Sequence, residues 1–367
     1  MGLLRTLLAL SVVIYHAWPG QSFLVGGPGA VQCFYIISGF LISYILVERR
    51  SYFSVGAFYI NRYLRLYPTY LLIAVLTLAA VLITHRSGLL QVYHQAPWSA
   101  IGVLTFSNLT LLGQDWIMFL GVHDHHLMLT SNFHQSDVPL FEGQLIHPSW
   151  TLGLELTFYL LAPFVLPRRR WMYALLIGSL ALRVILIQVG LGERDPWSYR
   201  FFPTELALFL LGSLAHQILL PLYRRLTISN GAAAANVATL ILLALVLAYP
   251  LLPIVEPYRK IVLLLAVIAI VPFAFQFQRA HRSDSWIGEL SYPIYICHIL
   301  VLDLMHYALR HFAGISQAKS ALAATAATIG LAVLLNLCIA EPIERLRNRV
   351  RASRPEAGST PATAVAG

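Results

Sequence analysis

The sequence predicts an all-α fold: a polytopic membrane bundle of about ten transmembrane helices. Three observations lead there. Of 367 residues, 58% are hydrophobic and only 11% are charged, against roughly 25% charged in a soluble domain. Such a chain lacks the polar residues to cover a water-facing surface. The apolar residues gather into ten runs, 2–18, 29–47, 67–84, 148–167, 171–189, 203–220, 232–250, 258–277, 286–304 and 321–340, near the roughly 17–25 residues that cross a hydrocarbon core. The basic residues then alternate. With the N terminus in the cytoplasm, the connections on that side and the tail hold 16 Lys and Arg, and the opposite connections hold 5. That asymmetry obeys the positive-inside rule and puts both termini in the cytoplasm.

The same count places an eleventh run, 98–113, outside the set of spans. Counting it would move Arg168, Arg169 and Arg170 to the outer side, so it is expected as a buried outer-side helix or a re-entrant element. A formal charge of +9 would suggest nucleic acid in a soluble protein. Here the basic residues lie between apolar runs and report topology, and no nucleic-acid partner is expected. Cys33, Cys297 and Cys338 sit in apolar segments and support neither a disulfide framework nor a spaced metal motif. The expected organisation is a membrane domain over 1–345 and a basic tail over 346–367 that is disordered after Arg354, where Pro, Ala, Gly, Ser and Thr have little to bury.

Taken in order, the first span carries Arg5 and His16. Eleven residues on a helix are roughly three turns and 16 Å, so both point broadly one way. Each has a bland account, as a topology anchor and as an interfacial histidine beside Tyr15 and Trp18. The functional account makes them two stations on one polar passage, since a neutral imidazole can take a proton from a hydroxyl near pH 7. The second span contains Ser38-Gly39, small residues that let another helix or an acyl chain come close. Arg62 and Arg65 follow in a basic, aromatic stretch. Three apart, they share a helix face and suit either anchoring or a grip on phosphates.

The connection 85–147 holds seven of the 13 histidines. It reads as a wet outer loop. His123, Asp124, His125 and His126 have metal-ligand chemistry, but neighbours on one loop rarely surround an ion, and no metal is expected. In the fourth span Glu155 is expected at a depth similar to that of His16, where a carboxylate needs a partner. That partner is either the imidazole, which it would orient, or an arginine or tyrosine. Glu205 and Arg183 are further intramembrane charges expected to be paired. Ile287-Gly288-Glu289-Leu290-Ser291-Tyr292, with Tyr295 and His298, would line a bundle interior.

These segments in this order resemble the acyltransferase-3 family of integral membrane enzymes, over about residues 3–345. The signs are Arg5 with His16, Phe34 to Leu41 with Ser38-Gly39-Phe40, Arg62-Tyr63-Leu64-Arg65-Leu66-Tyr67-Pro68, Trp150 with Glu155 and Tyr159, and the stretch from Ile287 to His298. The resemblance implies a bacterial inner-membrane enzyme that transfers an acetyl or other short acyl group from acyl-coenzyme A to sugar hydroxyls of surface polysaccharide, lipopolysaccharide or an exported oligosaccharide. It implies that Arg5 and His16 are the catalytic arginine–histidine pair and that Arg62 and Arg65 lie at the donor site. Acyl-coenzyme A is then the donor substrate, and no cofactor is held tightly. One departure is Gln32, where the family often has an aspartate. No appended extracytoplasmic domain of the sort some relatives use is expected, so the chain would act alone or with polysaccharide assembly or export machinery.

On that basis acyl-coenzyme A docks from the cytoplasm on Arg62, Arg65 and Arg5, with Ser38 beside it. The acceptor arrives under the 85–147 loop, and His16 removes its hydroxyl proton with Glu155 orienting the ring. Direct transfer and a covalent relay both remain open. The competing expectation is a multispan glycan exporter without chemistry, whose intramembrane charges line a passage.

Overall fold

The computed structural model describes residues 1–20, 23–50, 52, 54–84, 87–226, 230–309 and 316–352. Helix α1 (Gly2–Ala17) starts on the carboxylate of Asp284, which accepts the backbone N–H groups of Gly2 and Leu3 at 2.7 Å each. A helix start has free donors, and away from water they need such a partner. Helix α2 (Gly26–Ser43) runs on through a π-helical turn, Tyr44–Glu48, and α3 (Val55–Thr84) follows with Pro68 inside it.

The segment that connects α3 to the next long helix holds α4 (Ser87–Gln95), α5 (Trp98–Thr110) and a hairpin of β1 (Leu120–His123) and β2 (His126–Leu129). The hairpin is an addition to the all-α expectation. Its two turn residues, Asp124 and His125, have φ of 48° and 63°, the left-handed pair that a tight two-residue hairpin turn demands. His123 lies 3.8 Å from Asp137, while His125 and His126 are exposed. His85, the first histidine of this connection, lies outside the described residues.

Helix α5 covers the eleventh apolar run and is a short element braced by α3. Tyr63, Tyr67 and Tyr70 donate their hydroxyls to the carbonyls of Thr110, Leu109 and Asn108 at 3.0, 2.7 and 2.9 Å. The last carbonyls of a helix have no partner within it, and a row of tyrosines on one face of α3 supplies them.

The second half is helical throughout: α6 (Trp150–Val165), α7 (Arg169–Gln188), α8 (Phe202–Leu214) with a π-helical turn into α9 (Leu220–Leu226), α10 (Gly231–Ala248), α11 (Tyr258–Ala280), α12 (Arg282–Glu289), α13 (Ser291–Leu309), α14 (Gln317–Leu335), and α15 (Glu341–Ala352) after a third π-helical turn. The basic start of the tail is therefore helical to Ala352. The part after Arg354 lies outside the described residues.

Eight described helical stretches are long and apolar enough to cross a membrane. They coincide with eight of the ten expected spans, giving a multi-pass membrane architecture. The other two, α1 and α6, have 16 residues each, or roughly 24 Å of helix against a hydrocarbon core of roughly 30 Å. Both are inner elements. Helix α1 packs on α2, α12, α13 and α14, and α6 packs on α2, α3 and α8. The apolar stretch of α2 is 61% buried and that of α7 17%, so α2 belongs to the centre and α7 to the rim.

Helices α2 and α8 approach closely at a glycine pair. A Cβ on Gly39 would collide with the carbonyl of Phe209, and one on Gly212 with the carbonyl of Ile36. Backbones of α2 and α8 meet there, which fixes the rotation of α2 and hence the direction in which Ser38 faces.

Candidate active site

A cavity of about 220 Å³ opens between α1, α2, α3, α6 and α13, and Arg5, Ser38, Arg62, Arg65 and Glu155 all line it. Five of the six expected site residues, drawn from four helices, thus meet in one place. Val31, Phe34, Ile37, Leu41 and Ile42 supply an apolar wall, while Glu289, Tyr159, Tyr292 and Tyr295 add polar groups. Three arginines against two carboxylates leave one net positive charge.

The arginines are not equivalent. Arg62 is 3% exposed, and its Nη2 donates to Tyr52 Oη and Asn61 Oδ1 at 3.0 Å each. Asn61 Oδ1 also takes Arg347 at 3.2 Å, and Asn61 donates to the Arg347 carbonyl at 3.0 Å. Arg62 is therefore tied into the joint between α3 and α15. Arg5 and Arg65 make no side-chain hydrogen bond among the described residues. Glu155 and Glu289 act on both electrostatically. The planar donor forks of these two guanidinium groups match phosphate and carboxylate oxygens.

Glu155 is not the partner of His16. Its Oε1 accepts Ser38 Oγ at 2.9 Å and, more closely still, the hydroxyl of Tyr159. Tyr159 stands four residues on along the same helix, where side chains share a face. Ser38, expected beside the donor, gives its hydroxyl to this carboxylate. Of the alternatives for Glu155, the structure takes the tyrosine.

His16 lies outside the cavity, at the far end of α1, and is exposed. Its ring packs against His298 with centroids 5.3 Å apart, and Arg200 and His147 act on it electrostatically. Burial holds His147 below the ordinary histidine range, so it is neutral at pH 7. Arg200 is held by Asp195 at 2.6 Å and lies over Trp150, 4.4 Å from the ring centroid. The link from this outer group to the cavity is Tyr295, which lines the cavity and takes the hydroxyl of Thr151 at 3.0 Å, three residues before His298.

Glu289, Tyr159 and His298 carry weight that their sequence positions alone did not assign. A carboxylate and a histidine within one apolar helical stretch were the available signal. Gln32 also has a place: its Nε2 donates to the fully buried Glu205 at 3.1 Å, and Glu205 pairs with Arg183 at 2.7 Å. An aspartate at 32 would set a second carboxylate against Glu205, so a neutral donor suits this chain.

The sequence profile of the acyltransferase-3 family, described as an acyltransferase domain, matches residues 1–340. Nodulation protein 10 of Rhizobium leguminosarum bv. viciae is 31% identical over 198 residues, covering 50% of this chain and 47% of that protein. Peptidoglycan O-acetyltransferase OatA of Listeria monocytogenes is 24% identical over 326 residues, 82% of this chain and 49% of that protein. The chain spans about half the length of these curated relatives. No solved structure matches. With the profile covering nearly the whole chain, the chain belongs to the acyltransferase-3 family of polytopic membrane proteins.

Proposed function

We propose that this chain is an acyl-coenzyme A-dependent O-acyltransferase that moves an acetyl or other short acyl group to a sugar hydroxyl of a surface or exported glycan. The observation that carries this reading is the cavity, where the uncommitted guanidinium groups of Arg5 and Arg65 face the same space as the apolar wall of Phe34, Ile37, Leu41 and Ile42. A phosphate-bearing thioester with an apolar arm needs both. Its phosphates bind Arg65 and Arg5, its arm lies along the wall, and its thioester points toward Thr151 and Tyr295. His16 takes the hydroxyl proton as the acceptor oxygen attacks the thioester carbon. The carbon–sulfur bond breaks, and the thiolate recovers the proton. Glu155 keeps Arg5 and Arg65 oriented and has no part in the proton transfer.

In this reading α1 and α6 complete ten spans in a bacterial inner membrane, both termini are cytoplasmic, and the acceptor enters beneath the 87–149 segment. The name of the Listeria relative, a peptidoglycan O-acetyltransferase, fits a glycan acceptor. Mass spectrometry of surface and secreted glycans from cells with and without the gene tests this function. A glycan that carries an acyl increment only when the gene is present supports it. Unchanged glycan masses, with loss of glycan export in the cells without the gene, would identify an exporter instead.

A further inference from the structure

His298 is fully buried on α13. Its Nδ1 lies 2.6 Å from the carbonyl of Tyr295. A carbonyl only accepts, so Nδ1 carries the hydrogen, and in a neutral ring Nε2 then holds a lone pair. That Nε2 is buried and has no hydrogen-bond partner among the described residues. Buried polar atoms are almost always satisfied, so an orphan of this kind asks for a donor. Two rings lie against it: Tyr295, 5.9 Å away between centroids, whose hydroxyl is taken up by Thr151 and the Pro148 carbonyl, and His16, with centroids 5.3 Å apart and planes at 36°. His16 makes no side-chain hydrogen bond among the described residues either.

We propose that His298 is a positioning residue that acts through His16. A turn of the exposed His16 ring, 5.3 Å away between centroids, brings its N–H onto the His298 Nε2, which accepts it and so fixes the tautomer whose other nitrogen faces the acceptor hydroxyl. The proposal rests on the proton-abstraction role given to His16 above. The proton moves from the sugar oxygen to His16, and the oxygen's electron pair forms the bond to the thioester carbon. The sulfur leaves with the pair from the broken carbon–sulfur bond and takes the proton from His16. His298 keeps one proton on Nδ1 throughout. By accepting from the imidazolium it does for His16 what a carboxylate does in a serine hydrolase triad, without adding a charge.

Hydrogen bonding to the charged form raises a histidine's proton affinity. The other groups that face His16 are Tyr15 on its own helix, His147 ahead of α6 and Arg200 ahead of α8. Asp303 and Glu142 act on His147 in turn. None of these changes in a His298 variant. The test is the pH dependence of carbethoxylation of His16 by diethyl pyrocarbonate, which modifies neutral imidazole, in the full chain held in nanodiscs. Mass spectrometry of the peptide carrying His16 reads the midpoint. His298→Phe and His298→Leu lower that midpoint by about one pH unit, while His298→Gln, which keeps an acceptor oxygen, holds it near the wild-type value. In membranes of the producing organism, release of thiol from acetyl-coenzyme A falls about tenfold in His298→Phe and largely returns in His298→Gln. An unchanged midpoint in both apolar variants overturns the proposal. Full thiol release in His16→Gln overturns instead the role of His16 on which it rests, so the two failures are separable.

Discussion

Replacing Arg65 by alanine should separate donor binding from structure. Arg65 faces the cavity with no side-chain hydrogen bond among the described residues, while Arg62 is fastened to Tyr52 and Asn61. A hydrogen bond to a charged group contributes roughly 1.5–3 kcal/mol, so the loss of one phosphate contact weakens acyl-coenzyme A binding by about 10- to 150-fold. Arg65→Lys recovers part of it, because lysine keeps the charge without the planar fork. Arg62→Ala behaves differently. Asn61 Oδ1 still receives Tyr52 at 2.8 Å and Arg347 at 3.2 Å, so the expected effect is a loss of stability of about 1–3 kcal/mol with donor affinity changed less than threefold. Equilibrium binding of radiolabelled acetyl-coenzyme A to nanodisc-held protein, beside a thermal unfolding curve, reads both. Normal affinity in Arg65→Ala together with lost affinity in a folded Arg62→Ala would refute the assignment.

Three further outcomes follow from the packing. Gly39→Ala drives a Cβ into the Phe209 carbonyl and should destabilise the α2–α8 contact by at least about 1–3 kcal/mol, read as a lower unfolding midpoint in detergent. Arg183→Ala leaves the fully buried Glu205 with Gln32 alone. It should cost about 3 kcal/mol, the low end for a broken buried pair because Arg183 is 27% exposed, and Arg183→Leu with Glu205→Leu should restore most of it. Asp115, in the 87–149 segment, has its carboxyl pushed up by burial from 3.8 to about 6. The folded state then holds a proton that the unfolded state releases, so stability falls as pH rises from about 4 to about 6 and stays low above that. Asp115→Asn should remove the dependence and raise stability at pH 7.5 by up to about 3 kcal/mol, with little effect at pH 3.5, by thermal unfolding at the two pH values.

The sequence showed the helical fold because span length and hydropathy are local properties, and eight of the expected spans lie on long apolar helices of the structure, several of which run on beyond the expected bounds. The candidate site was legible as a set of residue types. Charge inside an apolar run is conspicuous, and Arg5, Ser38, Arg62, Arg65 and Glu155 do share a cavity. Pairing was not legible, because it depends on how helices rotate against one another. Arg62 and Arg65 look equivalent in a sequence, yet only Arg62 meets Asn61 and Tyr52. Glu155 and His16 were matched by estimated depth along their helices, whereas the glycine contact between α2 and α8 brings Ser38 to Glu155 instead. His298 was visible as a polar residue in an interior helix. Its fixed tautomer and its contact with His16 appear only in three dimensions.

In the proposed reaction His16 takes the acceptor proton while the donor is held elsewhere, on Arg5 and Arg65. Single-turnover acyl transfer to glycan in nanodiscs, with wild type and His16→Gln both saturated with acetyl-coenzyme A, tests it most directly. Glutamine fills the space and can hydrogen-bond, but an amide cannot take the proton. His16→Gln should transfer roughly 10²- to 10⁴-fold more slowly. A wild-type transfer rate in His16→Gln would contradict it.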